Sequence, residues 1–210
     1  MSDMALSHQH PKLKLIYFDL AVRGELTRLA LTYGGIDFDD ERIPFSEWSG
    51  RKSSFPLGQL PAIELDGEVY VQSMAMARYA GRLSGLYPDD PLQALKVDMV
   101  IETVLEVLDT YVNTQFSTAE KDVQAKNTKQ AVEVTFPRLF AFIEKSIGGK
   151  FVLGDGVCLA DIFIFDVVTN AVTVRFPEFT LVPYPNVQAV VELIKATPCV
   201  SAYLASRCQD

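Results

Sequence analysis

Leu57–Ser73 reads LGQLPAIELDGEVYVQS, and this stretch decides the fold. Gly58-Gln59-Leu60-Pro61 spells a tight turn closing on a proline. Ala62 to Leu65 then alternates as a short strand. Asp66-Gly67 is a strong hairpin signal, because both turn positions need positive φ. Val69-Tyr70-Val71 forms the return strand. Gln72-Ser73 opens a helix to Leu83, with Ser73 expected as its N-cap. Backbone exposed at such a turn can pair with a peptide, and a helix N-terminus can hold a carboxylate. A small acidic peptide would suit both. Taken alone, the stretch is read more simply as an ordinary hairpin leading into a helix.

Upstream, Lys12 to Phe18 alternates as a half-buried strand, with Leu13, Leu15 and Tyr17 expected on one face. Asp19 to Val22 is a loop. A helix is expected from about Arg23 to Tyr33, ended by Gly34-Gly35. Phe38 to Pro44 is an acidic strand, and Ser46 to Phe55 a short helix carrying Trp48 and Lys52. Strand, helix, strand, then strand, strand, helix is an α/β unit of thioredoxin-like plan, spanning 12–84.

Gly85 to Pro91 (GLYPDDP) lacks periodicity and is the expected linker. Beyond it, over 92–210, the pattern is helical. Val97, Val100, Ile101, Val104, Leu108 and Tyr111 mark a long helix. A second is expected over about Thr118 to Ser146, kinked at Pro137. A third starts near Cys158, and two more near Pro185 and Pro198. Cys158-x-x-Asp161 occupies a capping-box position with a poor cap, flanked by Val157 and Ile162, and reads as a structural corner.

The chain has 210 residues, 49% apolar and 22% charged, with net charge −8. This argues against nucleic acid or an anionic membrane as the main partner. Cys158, Cys199 and Cys208 form no CxxC, which suits reduced thiols and a cytoplasmic location. Met1 to Pro11 is polar and lacks the apolar core of a signal peptide. Phe151 to Val168 is apolar but broken by Asp155, Asp161 and Asp166, so a buried helix is expected there rather than a membrane span. The histidines, His8 and His10, lie in the N-terminal tail and read as part of a frayed end. Chemistry in the core must therefore use Tyr, Ser, Lys, Cys or carboxylates, not a Ser-His-Asp or Cys-His pair.

The order and spacing of several features resemble a cytosolic glutathione S-transferase, nearest the sigma class that includes the glutathione-dependent prostaglandin D synthases. These features are Tyr17-Phe18, Arg23 with Glu25-Leu26, Trp48 with Lys52, Gly58-Gln59-Leu60-Pro61, the Asp66-Gly67 hairpin and Gln72-Ser73 running into MAMARYAGR. Val97-Asp98, Gly154-Asp155 and Ala160-Asp161 match in the second half. The resemblance covers Lys12 to about Ser206. It implies an α/β thioredoxin-like N-terminal domain followed by an all-α C-terminal domain.

The resemblance also implies a chemistry, that of a detoxifying transferase with glutathione as co-substrate. Tyr17 would supply the catalytic hydroxyl, with Arg23 beside the thiol. Trp48 and Lys52 would hold the glycine end of glutathione. Leu60 would pair with the cysteinyl unit, ahead of a cis bond to Pro61 in the Gly58-Gln59-Leu60-Pro61 turn. Gln72 and Ser73 would take the γ-glutamyl carboxylate, and Glu106 of a second copy would complete that end in a homodimer. Phe18, Leu108, Val112 and Phe116 are the expected lining of the pocket for a small hydrophobic electrophile. A free thiol has pKa about 8.5, so only a small fraction is thiolate near neutrality. A phenol donating to S⁻ favours the charged form, and lowering that pKa by roughly two units is worth about 2.7 kcal/mol.

Three departures from the family pattern matter. The synthases carry three aspartates that bind magnesium at the dimer interface; the matching positions here are Glu102, Leu105 and Glu106, so no metal is expected. The aromatic of the electrophile pocket falls at Asn113. The aromatic that locks subunits in some relatives is Leu57. Two rivals stay open: an isomerase of the prostaglandin type, and a non-catalytic binding protein on the same fold. A thiol oxidoreductase is disfavoured, since no cysteine lies near Tyr17.

Overall fold

The structure, a computed structural model, describes residues 12–207. The expectations for Met1–Pro11, the two histidines and Cys208 lie outside these residues. Four strands form one sheet in the order β2-β1-β3-β4. β1 (Leu13–Phe18) is central, parallel to β2 (Asp39–Ile43) and antiparallel to β3 (Ala62–Leu65). β4 (Glu68–Val71) closes the hairpin against β3. Asp66 and Gly67 take φ of 49° and 92°, as a two-residue hairpin turn requires.

Alternation predicts that β1 is half-buried, but a central strand is covered on both faces. Leu13 packs in the main core, whereas Ile16 joins Ile43, Phe55 and Ala62 in a smaller cluster across the sheet. Tyr17 is 5% exposed. On the main-core side lie α1 (Glu25–Tyr33) and α3 (Ser73–Leu83). On the other side, α2 (Phe45–Arg51) and the 3₁₀ turn Lys52–Ser54 bring Trp48 onto the smaller cluster.

The remaining helices are α4 (Pro91–Phe116), α5 (Lys121–Gln130), α6 (Phe136–Ser146), α7 (Leu159–Val167), α8 (Thr173–Arg175), α9 (Pro185–Lys195) and α10 (Pro198–Arg207). α4 begins six residues before its first apolar marker. Asp90 caps it by accepting from the Gln93 N–H at 2.8 Å, and Pro91 fits the first turn because its missing N–H would have no partner there. Pro137 falls at the second residue of α6, directly after a π turn over Ala131–Thr135. The wider turn absorbs the donor that proline lacks, so the run continues instead of breaking.

The Cys158 corner is structural, as its sequence suggests. Asp161 accepts the Cys158 N–H at 2.8 Å, the Val152 N–H at 2.9 Å and the Cys158 thiol at 3.1 Å. Burial and the Asp161 charge push that thiol far up, so it stays protonated and donates. The linker expected over 85–91 is not free of the core: Leu86 is 3% exposed and its carbonyl accepts the Leu159 N–H at 2.8 Å. Among the described residues no single helix is long and apolar enough to cross a membrane.

One charged cluster is buried where α1, α7 and α10 meet. Glu25 and Arg28 are both 0% exposed and Asp166 is 2%. Asp166 Oδ1 accepts from Asn170 at 2.8 Å, while Oδ2 has no hydrogen-bond partner. Burial, and then the nearby Glu25 charge, hold the Asp166 carboxyl well above its ordinary 3.8. An acid whose pKa rises on folding stabilises the fold below its unfolded value and loses that contribution as pH climbs. Asp166→Asn, which mimics the protonated form, should therefore gain stability relative to the native protein from about pH 4 upward. Thermal melts across pH check this; a constant difference between the two proteins would contradict it.

Candidate functional site

A cleft of about 500 Å³ opens where the loop after β1, α2, the proline turn and the start of α3 converge. Phe18 and Arg23 form one wall, with Trp48 beside them. Gly58, Gln59, Leu60 and Pro61 form another, and Val71, Gln72 and Ser73 close the far end. Sequence reasoning names all of these except Val71, which simply precedes Gln72 at the end of β4.

The turn geometry is specific. Leu57 and Gly58 both have positive φ, 59° and 56°, and the Leu60–Pro61 peptide is cis. Lys52 does not line the cleft; it is exposed and packs on Gly58, its Cε lying 3.3 Å from where a Cβ would stand. Gln72 is also left-handed, with φ 79° and ψ 102°. Such backbone in a non-glycine residue costs of order 1–3 kcal/mol and gathers at binding sites. Ser73 is not the N-cap expected from sequence: it is the first residue of α3, and Gln72 stands before it. No side chain caps this N-terminus, so its N–H groups and dipole face the cleft ready for an anion.

Tyr17 is buried, and the cleft wall is made by its neighbours rather than by its own ring. Its oxygen accepts the Arg23 backbone N–H at 3.3 Å, which leaves the phenol proton free to donate. Gly24 is obligatory here: a Cβ would come within 2.5 Å of Tyr17 Cδ1. Burial raises the phenol above its ordinary 10.0, against the Arg23 N–H and the Arg23 and Arg28 charges. Near neutrality Tyr17 is therefore a protonated donor.

The Arg23 side chain turns to α4, where it pairs with Asp109 at 2.8 Å. Both groups are more than a third exposed, so solvent screens the pair and its worth is mainly geometric. Phe18 stacks on Phe45 at 4.4 Å and meets Trp48 edge-on at 5.6 Å. Asp109 and Phe45 carry no sequence signal that separates them from surface residues.

The other expected residues lie elsewhere. Glu106 is exposed on α4 and pairs with Arg138 at 3.0 Å, in a separate groove. Leu108, expected as a pocket wall, is 3% exposed and belongs to the core, because α4 turns that face toward the other helices. Val112 is half-buried against the same core, and Phe116 is 65% exposed with its ring edge-on to Tyr111. None of these three lines the cleft that Phe18 walls. No group of three or more acidic, His or Cys side chains is set to hold a metal among the described residues.

Comparison with known proteins adds the family. Residues 106–207 match the glutathione S-transferase C-terminal domain. The chain is 32% identical to a glutathione S-transferase of Anopheles gambiae, over 94% of this chain and 97% of that one. It is 30% identical to the hematopoietic prostaglandin D synthase of Gallus gallus, with the same coverage of each chain. The solved prostaglandin synthase D of Nilaparvata lugens superposes with a TM-score of 0.85 at 27% identity, covering 94% of this chain and 98% of that structure. With this extent of identity over nearly its whole length, on the same architecture, the chain belongs to the glutathione S-transferase family.

Proposed function

We propose that the protein is a glutathione transferase that conjugates the tripeptide to small hydrophobic electrophiles. The observation that carries the reading is one cleft that joins an uncapped helix N-terminus to a proline turn, with a buried, protonated phenol directly behind its Phe18 and Arg23 wall. The γ-glutamyl carboxylate sits at Gln72 and Ser73, where the α3 dipole favours negative charge. Leu60 offers its backbone to the cysteinyl unit. Trp48 holds the glycine end from the cleft wall, with Lys52 outside the lining, beside Gly58, to reach it at the rim.

The thiol then lies beside Tyr17, whose O–H donates to sulfur and favours the thiolate. Arg23 acts through its backbone N–H, which occupies the phenol oxygen and points the proton away. The thiolate attacks the electrophilic carbon; the C–S bond forms as the leaving group departs with the bonding pair, or as a proton arrives at an addition product. Little beyond placement is asked of the protein at that carbon. The electrophile enters between Phe18 and α4, where the Arg23–Asp109 pair spans the gap.

The reading includes a division of labour at 85–91, between a glutathione-binding part and a helical part. It also includes a cytoplasmic homodimer in which Glu106 of a second copy approaches the γ-glutamyl end. Leu92, Leu95 and Met99, spaced to share a face of α4, are exposed together with Leu57, which supports a second copy docking there. Asn113, standing where the aromatic of the electrophile pocket is expected, favours conjugation over the isomerase reading.

Tyr17→Phe should keep glutathione binding while turnover of a chlorinated nitroaromatic falls at least about tenfold. Equal turnover would remove Tyr17 from the mechanism. Gly24→Ala is conformationally benign at φ −90°, yet its methyl must displace the Tyr17 ring. It should also lower turnover by about tenfold with binding retained. Unchanged kinetics in Gly24→Ala would show that the placement of the phenol is not critical.

A further inference from the structure

The buried charges beneath the cleft reach Tyr17 from the far end of the chain. In α10, the Tyr203 hydroxyl and Arg207 Nη1 both donate to Glu25 Oε1, at 3.0 and 2.6 Å. The other Glu25 oxygen accepts from Arg28 Nη1 at 3.4 Å. Arg28 Nε donates to both Asp40 oxygens at 2.8 and 3.1 Å. The guanidinium also reaches backbone: Nη1 donates to the Leu20 carbonyl at 3.2 Å and Nη2 to the Phe18 carbonyl at 3.3 Å. One guanidinium thus grips both sides of the turn by which the chain leaves Tyr17, with its Cζ 5.7 Å from the centre of the Tyr17 ring.

We propose that Tyr203 and Arg207 are positioning residues for Tyr17, acting through Glu25 and Arg28 to fix the turn from which the phenol is presented. The inference rests on the role given to Tyr17 above. α10 supplies none of the residues that line the cleft. The physical reason is charge balance in a dry space. Arg28 serves two carboxylates, Glu25 and Asp40, the second shared with Arg42 at 2.9 Å, and Asp166 lies close by with its carboxyl pushed up by burial. Arg207 compensates Glu25. Without it, Glu25 keeps Arg28 as its one paired cation among the described residues and draws that guanidinium in from its present 3.4 Å, because buried charges are poorly screened. The contacts that yield are the bonds to the Phe18 and Leu20 carbonyls, which are longer than those to Asp40, and the turn loosens.

The test uses the full chain with glutathione and a chlorinated nitroaromatic, comparing Tyr203→Phe, Arg207→Gln, the double variant and Arg207→Lys. In the double variant kcat should fall about tenfold, with KM for glutathione within about twofold. The pH at which kcat reaches half its plateau should rise, and Arg207→Lys should recover most of the loss. Native kcat and an unmoved pH profile, in variants that only melt earlier, would reduce the network to a stabilising one and overturn the proposal. If the double variant does not fold, Tyr203→Phe decides alone, with about a threefold loss expected against none. Tyr17→Phe runs alongside. If it loses turnover while the α10 variants keep theirs, the coupling fails and the phenol's role stands; if it keeps turnover, both fail.

Discussion

A phenol shut away from water keeps its proton, and the arrangement of this molecule follows from keeping one such phenol in place. Tyr17 stands near the end of the central strand, where both faces of the sheet are covered and its pKa is pushed up. Gly24 makes room for the ring, and the Arg23 N–H takes the oxygen's lone pair. The donor side is left for a partner. A group that has to hand a hydrogen bond to an anion needs all three conditions: burial to hold the proton, contact to fix the ring, and a satisfied acceptor so the proton has one direction.

The cleft beside it is built mainly from backbone in unusual conformations. Positive φ at Gly58 and Gln72 and the cis Leu60–Pro61 bond all fall among the residues that line it. Backbone recognition suits a peptide, and the bare N-terminus of α3 suits its carboxylate. The aromatic wall of Phe18 and Trp48, with Phe45 stacked on Phe18, is the apolar counterpart. Polar grip and apolar wall meet next to Tyr17, which is where a sulfur nucleophile and a hydrophobic electrophile would have to meet.

Much of this is legible in the chain because the signals are local. Asp66-Gly67 states its own turn, Pro185 and Pro198 mark helix starts, and apolar spacing marks α4. What is not legible depends on partners distant in sequence. Leu108 carries the same signal whether its face meets core or ligand, and the other helices decide. Ser73 looks like a cap, but the left-handed Gln72 moves the helix start by one residue. Pro137 announces a disturbance without saying that a π turn will absorb it. Arg28 is the clearest case. Nothing in ELTRLAL tells a surface arginine from one that is wholly buried, since its partners Asp40 and the Phe18 and Leu20 carbonyls are assembled only by the fold.

The account stands or falls on the state of sulfur in the cleft. The direct measurement is an ultraviolet titration of glutathione held at saturation by the native protein, following thiolate absorbance against pH. The account predicts half-ionisation about two units below the free value of about 8.5. A bound thiol that still titrates near its free value, or no binding at millimolar tripeptide, would contradict it.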